Sequence, residues 1–195
     1  KLSASRGMIT DRNGEPLAVS TPVDTVWADP RKLAQHPQEF ARLAKALDRD
    51  KNWLARRVTS NLDREFVYLV RHMRPADAAK VKALGISGVD TLREYRRYYP
   101  AGEVTGHLLG FTNVDDVGQE GLELAFDQWL GGQPGQKLVM RDSLGRTIED
   151  IERISAPRPG QDLRTSIDLR VQYLAYRELK AAVQANHARS GSVVV

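Results

Sequence analysis

The sequence has 195 residues, 41% hydrophobic and 28% charged, which is ordinary for a folded domain and excludes a chain that is disordered throughout. No apolar run approaches 18 residues, no signal peptide is visible, and the lack of cysteine excludes disulfides and thiol chemistry. The net charge of +4 permits an anionic partner, but the densest basic spots, at Arg56–Arg57, Arg93 and Arg96–Arg97, are interpreted as solvated surface, and no nucleic-acid-binding module is present.

The first 28 residues predict a hairpin followed by a separate strand. Residues 8–10 and 17–19 are short extended segments, separated by Asp11, Arg12, Asn13 and Gly14. Asn and Gly tolerate positive φ, so Asn-Gly before an apolar run is a strong hairpin signal. This pattern favours a turn over a substrate-binding loop at Arg12. Residues 25–28 are predicted to form another strand.

Residues 31–95 alternate between helical and extended patterns. Apolar residues at helical spacing predict helices over 40–47 and 50–58, with Asp50 as the N-cap of the second. A β-rich run at 66–70, a helix beginning at Pro75 and a strand at 89–95 follow. We expect this block to form a small α/β head, about residues 30–97, inserted between the strands of a base.

The stretch 98–135 is predicted to have a structural role. Pro100 holds Tyr99 in an extended conformation and Gly102 supplies positive φ, so the stretch opens with a rigid turn. His107 lies beside two leucines and is expected to be a hydrogen-bonded packing residue. The acidic pair Asp115-Asp116 is interpreted as capping or solvating the next helix, because the loop lacks an EF-hand pattern.

One amphipathic helix is predicted next. Its apolar stripe comprises Leu122, Ala125, Phe126, Trp129 and Leu130, and two glycines end it. The remaining pattern predicts two strands at 137–141 and 147–154 around a turn at 142–146, a linker at 156–160 and a strand at 163–167.

The C-terminal segment is predicted to form a helix capped by Asp168 and a last strand at 192–195. The apolar stripe of the helix comprises Val171, Leu174, Ala175, Leu179, Ala182 and Val183. An apolar stripe and an unpaired strand both favour association. We therefore expect residues 169–195 to pack against a second copy or against the chain's own base.

Several spaced motifs, in this order, resemble the non-catalytic module of class B penicillin-binding proteins. The resemblance covers residues 6–195, and within the family it favours the division-specific septal transpeptidases over the elongation-specific paralogues. The residues that carry it are Arg6, Gly7, Asp11, Arg12 and Gly14, then Tyr99, Pro100, Gly102, His107 and Gly110, then Gly118, Gly121, Glu123, Gly132 and Gly135.

The resemblance implies an α+β fold. Residues 1–159 would form an elongated pedestal of short strands and hairpins, of the dimerisation type, with the inserted head. Residues 160–195 would be the first strand, helix and strand of a truncated transpeptidase domain. In the family the motif arginine and glutamate meet across the module, which implies an ion pair between Arg6 and Glu123.

The resemblance also implies a location and partners. The parent protein would lie at the periplasmic face of the bacterial inner membrane, anchored by a transmembrane helix that precedes this chain. Its partners would be its own transpeptidase domain, a SEDS-family glycosyltransferase and small single-span division proteins. A homodimer through residues 160–195 is a further expectation, and no cofactor is implied.

The acylation motifs of the family are absent from the sequence. No serine is followed three residues later by lysine, and neither Ser-x-Asn nor Lys-Thr/Ser-Gly occurs. The four histidines, His36, His72, His107 and His187, lie at no metal-ligand spacing. Glu123 as a general base would have no nucleophile to act on. The chain by itself is therefore not expected to be an enzyme, whereas its parent is expected to be an acyl-serine D,D-transpeptidase.

Two functional hypotheses outside this family stay open. A stand-alone adaptor could bind an anionic polymer through the basic surface, or a membrane-protein partner. A small hydrolase would need a catalytic site that the sequence does not show.

Overall fold

The structure is a computed structural model that describes residues 2–141 and 147–195. It divides the chain into two compact units. Unit 1 contains the N-terminal residues through Ala4, Thr21–Arg96 and Gln133–Arg158, and unit 2 contains Ser5–Ser20, Arg97–Gly132 and Pro159–Val195. Both units mix helices and strands, so the predicted α+β class is confirmed. None of the helices within the described ranges is long and apolar enough to cross a bilayer.

Unit 1 holds most of the helices of the chain's first half. Its elements before residue 97 are the second part of β2 (Pro16–Ala28), β3 (Val67–Met73), most of β4 (Val89–Tyr98), and helices α1 (Pro30–Leu33), α2 (Phe40–Ala46), α3 (Lys51–Thr59) and α4 (Pro75–Ala83). Strand β2 pairs antiparallel with β3, with Val26 opposite Val70, and also pairs with β4. The helices bury their apolar faces against these strands, because Leu33, Leu43 and Leu54 join Val26 in one core.

The predicted starts of two helices in unit 1, α3 and α4, are confirmed. The Asp50 side chain accepts hydrogen bonds from the backbone N–H groups of Asn52 and Trp53, which makes it the N-cap of α3. Pro75 is the first residue of α4. The predicted hairpin after residue 135 also forms, from β5 (Gln136–Arg141) and β6 (Thr147–Ser155). The turn predicted at 142–146 lies outside the described residues.

Unit 2 is built on the predicted N-terminal hairpin. Strand β1 (Ile9–Thr10) pairs antiparallel with β2, with Ile9 opposite Ala18, and parallel with β7 (Leu163–Arg164). The helices of this unit are α5 (Gly106–Leu109), α6 (Gly121–Ala125), α7 (Asp127–Leu130) and α8 (Leu169–Ala185). Its small core joins Ile9 to Leu109 and Leu130, so the hairpin, α5 and α7 share one apolar centre.

Two predictions about regular elements before residue 135 are wrong. The strands predicted at 17–19 and 25–28 are parts of the single strand β2, because β-branched Thr21, Val23 and Thr25 continue the extended pattern between them. The single helix predicted over 122–130 is two short helices, since Phe126 between them has φ −113° and ψ 25°.

The C-terminal helix begins where the sequence predicted. Asp168 accepts a hydrogen bond from the backbone N–H of Arg170 and caps α8. Gln172 and Lys180 bind the segment 102–104, through the Val104 carbonyl at 2.9 Å and the Glu103 carboxylate at 2.9 Å. The strand predicted at 192–195 does not form, because these residues pair with no other backbone in the described part of the chain.

Candidate functional site

The carboxylate of Glu123 is bound between two arginines inside unit 2. Arg6 donates from Nε to Oε2 at 2.6 Å, and Arg97 donates from Nε to Oε1 at 2.6 Å. All three side chains are at most 2% exposed. Each carboxylate oxygen therefore has its own cationic donor, and these charge-assisted bonds offset the cost of burying the charges. The predicted ion pair between Arg6 and Glu123 is confirmed.

Arg6 also binds groups beyond the Glu123 carboxylate. Its Nη2 donates to the Glu123 backbone carbonyl at 2.7 Å, and its Nη1 donates to Asp127 Oδ1 at 2.7 Å and to the Asp116 carbonyl at 3.2 Å. The backbone N–H of Gly118 donates to the same Asp127 oxygen at 2.8 Å. One guanidinium thus holds helix α6, helix α7 and the loop before them. We call Arg6, Arg97, Asp116, Glu123 and Asp127 the charge cluster.

The electrostatics of the cluster follow from its burial. Burial disfavours the charge on Arg6, but hydrogen bonds and charge interactions with Glu123 and Asp127 outweigh it and raise the pKa of the guanidinium. Burial, together with the nearby Glu123 charge, raises the pKa of the Tyr99 hydroxyl to about 12. Arg6 therefore stays charged and Tyr99 stays neutral throughout the physiological pH range.

Asp116 is the carboxylate that the two arginines do not neutralise. Burial raises its pKa to about 6, although the charges of Arg6 and Arg97 lower it. Its Oδ1 atom is buried and has no hydrogen-bond partner among the described residues, which destabilises the ionised side chain. Its backbone has a positive φ of 63°, which adds strain to this loop.

The buried carboxylates decide which face of α6 and α7 points inward. Glu123 and Asp127 are four residues apart and both bind Arg6, so their side of the segment faces the interior. The apolar side chains of Phe126 and Trp129 are consequently 41% and 49% exposed. The predicted burial of an apolar stripe over 122–130 is therefore wrong at these positions, whereas Leu130 is buried as predicted.

Asp11 links the hairpin turn to helix α8. Its buried carboxylate accepts hydrogen bonds from the backbone N–H groups of Asn13 at 2.7 Å, Glu15 at 2.9 Å and Leu169 at 3.1 Å. Burial alone would raise the pKa of Asp11, but the backbone hydrogen bonds lower it below its ordinary value. One side chain therefore closes the turn and holds the first residue of α8.

Two glycines of the motifs allow the segments around the cluster to approach closely. A Cβ atom on Gly118 would lie 2.1 Å from the Glu123 carbonyl oxygen, and one on Gly110 would lie 2.0 Å from the Glu120 carbonyl oxygen. Gly110 also has a positive φ of 70°. Any larger residue at either position would displace the backbone beside Glu123.

The other residues of the motifs lie outside the cluster. Gly7 donates its N–H to the Leu130 carbonyl, Gly14 has positive φ in the hairpin turn, and Gly135 pairs with Leu2 in unit 1. Gly121 begins α6, and Gly132 follows α7. The motif residues that are exposed or half-buried are Arg12, Tyr99, Pro100, Gly102 and His107.

Two interpretations of single residues need correction. His107 is exposed, because the one turn of α5 buries Leu109 and leaves residues 106–108 at the surface. Arg97 is only 7% exposed and binds Glu123, whereas the sequence analysis placed it on a solvated surface. The period of two at the end of β4 could have indicated this, since Tyr95, Arg97 and Tyr99 occupy alternate positions and the two residues between them are exposed.

The geometry of the cluster supports a structural role. Glu123 is fully buried, so it cannot reach a substrate in solution. Among the described residues, no group of three or more His, Cys, Asp or Glu side chains could hold a metal ion. The cluster instead fixes Arg6, the end of β4 and residues 116–127 in one arrangement. The fold and this site define an α+β module whose buried charges hold distant backbone segments together.

The comparison with protein families agrees with this class. The model of the Penicillin-binding Protein dimerisation domain matches residues 1–165, and the chain belongs to this family. It is 47% identical over 200 residues to the peptidoglycan D,D-transpeptidase FtsI of Escherichia coli strain K12, and 45% identical over 194 residues to the probable peptidoglycan D,D-transpeptidase PbpC of Pseudomonas aeruginosa. Each match covers 100% of this chain and 34% of the relative, so the chain spans about a third of their length.

A solved structure shows the same fold. The penicillin-binding protein PBP2 of Helicobacter pylori, solved in complex with MreC, superposes with a TM-score of 0.69 at 23% identity. The superposition covers 92% of this chain and 38% of that chain.

A double-mutant cycle tests the ion pair at the centre of the cluster. Arg6→Ala and Glu123→Ala should each lower the free energy of unfolding by about 3–5 kcal/mol, because Arg6→Ala removes the donor of one buried Glu123 oxygen and Glu123→Ala leaves two buried arginines without their shared anion. The double variant should cost clearly less than the sum of the single variants. Urea denaturation of the four proteins gives the coupling energy. The exposed pair Arg31–Glu65 is the control and should couple by about 1 kcal/mol or less. A coupling energy near zero for Arg6 and Glu123 would contradict the pairing.

A second prediction concerns pH and Asp116. Since the pKa of Asp116 is raised in the folded chain to about 6, its stabilising contribution is complete below its ordinary pKa and is lost as the pH rises to about 6. Asp116→Asn removes this loss. Between pH 4 and pH 7, the unfolding free energy of the variant relative to that of the unsubstituted chain should therefore rise by about 1–2 kcal/mol, allowing for the partial exposure of the Asp116 carboxylate.

Urea denaturation of both proteins at several pH values measures this difference. The lowered pKa values of Asp11 and Asp168 act in the opposite direction, but they cancel in the comparison because both proteins contain them. A difference between the two proteins that does not change with pH would show that Asp116 does not titrate in this range.

Proposed function

We propose that this chain is the pedestal and partner-interaction module of a longer peptidoglycan D,D-transpeptidase that acts in septal cell-wall synthesis and cell division. The observation that carries the proposal is the match of the whole chain to one third of FtsI and PbpC, combined with the lack of acylation motifs in its sequence. The catalytic serine would then belong to another part of the longer protein. The chain would hold and orient that part.

The proposal includes boundaries and a location. Residues 1–159 would form the pedestal, with the head at about 30–97, and residues 160–195 would begin the transpeptidase domain. The longer protein would be anchored in the inner membrane with this module on the periplasmic side. A SEDS-family glycosyltransferase and small single-span division proteins would bind it, as MreC binds the Helicobacter pylori relative.

A chimera tests the division role. We expect E. coli FtsI that carries this chain in place of its matching segment to restore division in cells depleted of FtsI, as measured by cell length. The same chimera with Glu123→Ala should fail, because the cluster would lose the anion between two buried arginines.

The isolated chain provides the matched biochemical control. It should gain no mass after incubation with penicillin, whereas the chimera should be acylated. Filamentous cells despite normal chimera levels would contradict the division role. A stoichiometric mass gain on the isolated chain would contradict its non-catalytic assignment.

We also propose that the exposed face of α8 supports a homodimer of the isolated chain. Val171 and Leu174 are 44% and 49% exposed, although they belong to the apolar stripe of this helix. The variant Val171→Ser/Leu174→Ser should shift the chain toward monomer in sedimentation velocity experiments. Val193→Ser replaces a similarly exposed valine; it is the control and should sediment like the unsubstituted chain. An unsubstituted chain that is monomeric at all concentrations would rule out this dimer.

A further inference from the structure

The charge distribution along the chain is uneven at one stretch. Residues 98–136 contain neither Lys nor Arg, although the whole chain has 29 of them. The same stretch contains six carboxylates: Glu103, Asp115, Asp116, Glu120, Glu123 and Asp127. Arg6 and Arg97 bind two of these from the inside. The outer surface of this stretch therefore has carboxylates and no cation of its own.

The same stretch exposes large apolar side chains. Leu124, Phe126 and Trp129 are 55%, 41% and 49% exposed, and together with Gln161 they line an open groove of about 630 Å³. We call this surface the α6–α7 groove. Exposed aromatic side chains gathered on one surface are typical of protein interaction sites, where they supply much of the binding energy.

The groove is held in place by the structure around it. Beneath it, Arg6 fixes α6 and α7 through Glu123 and Asp127. At its edge, the indole N–H of Trp129 donates to the Asp162 carbonyl at 3.2 Å, and the Gln161 N–H donates to the Trp129 carbonyl at 3.0 Å. A surface fixed in this way loses little entropy on binding.

The charges beside the groove indicate the chemistry of its partner. Two exposed acidic residues neighbour the groove: the backbone carbonyl of Glu120 accepts the N–H of Leu124, and the backbone carbonyl of Asp162 accepts the indole N–H of Trp129. These charges attract cations and repel acidic segments. A Lys or Arg could also lie over the ring of Phe126 or Trp129 and gain a cation–π interaction.

We propose that the α6–α7 groove docks a short segment of a partner protein that combines apolar side chains with Lys or Arg. The apolar side chains would pack on Leu124, Phe126 and Trp129, and the cations would lie toward Glu120 and Asp162. This proposal rests on the partner-binding role given above, and it adds a location and a chemical class of partner to that role.

Selection from a library of random 12-residue peptides tests the proposal. The immobilised chain is the target, and the variant Leu124→Ser/Phe126→Ser is used for counter-selection. Both replaced side chains are exposed, so circular dichroism should show an unchanged fold. The enriched peptides should contain apolar residues with Lys or Arg. Their affinity, measured by fluorescence anisotropy, should fall at least about 10-fold for the double variant.

Two further variants separate the contributions to binding. Glu120→Lys should weaken the selected peptides about 3- to 10-fold, and higher salt should weaken them as well, because part of the attraction is electrostatic. Leu62→Ser replaces a similarly exposed leucine of unit 1 and should bind them like the parent chain. Enrichment of acidic peptides, equal binding to the double variant, or no enriched peptide would overturn the proposal.

Two more outcomes complete the test. Self-association of the chain that the double variant abolishes would show that the groove takes a second copy, and it would also overturn the proposal. Restored division by the FtsI chimera, together with failed peptide selection, would overturn this inference alone. Failed complementation together with groove-specific peptides would contradict the division role and leave the docking chemistry supported.

Discussion

The structure of unit 2 depends on a carboxylate that is completely buried between two guanidinium groups. A charge in this position would be strongly unfavourable without partners, and Glu123 has one arginine on each of its two oxygens. Arg6 and Arg97 come from segments that are 91 residues apart in the chain, and Glu123 lies on a third segment. The requirement to pair all three charges therefore brings these segments to the same place.

This constraint explains the unusual surface of the neighbouring helices. Asp127 follows Glu123 by four residues and shares Arg6 with it, so the polar side of the segment faces inward. The aromatic side chains are then left at the surface, where they line the α6–α7 groove. Close backbone contacts at Gly110 and Gly118 complete the arrangement, because no side chain fits beside the backbone carbonyls of Glu120 and Glu123. The internal electrostatics and the external apolar surface are thus two results of one arrangement.

The same arrangement gives unit 2 a network of buried side chains that holds its backbone segments together. The centre of the cluster, at Arg6, Arg97 and Glu123, is closed to solvent, and the polar atoms of the cluster hold backbone segments together. Asp11 has a similar role at the hairpin, where it holds the start of α8. Membership of the penicillin-binding protein dimerisation family agrees with such a role, since this chain corresponds to about a third of its curated relatives. Rigid joints between distant segments are what a supporting module requires.

The sequence by itself determined the features that depend on near neighbours. The N-terminal hairpin, helices α2 to α4, the Asp50 cap and the Asp168 cap were all predictable, because turn residues, caps and helical spacing act over a few positions. The pairing of Arg6 with Glu123 came only from the family resemblance, since no local signal joins residues 117 positions apart. Tertiary structure alone decided that Arg97 and Asp127 complete the cluster and that Phe126 and Trp129 face solvent. Helical spacing predicted that Phe126 and Trp129 would be buried, because it counts apolar residues and cannot include the energy of pairing a buried carboxylate with arginines from distant segments.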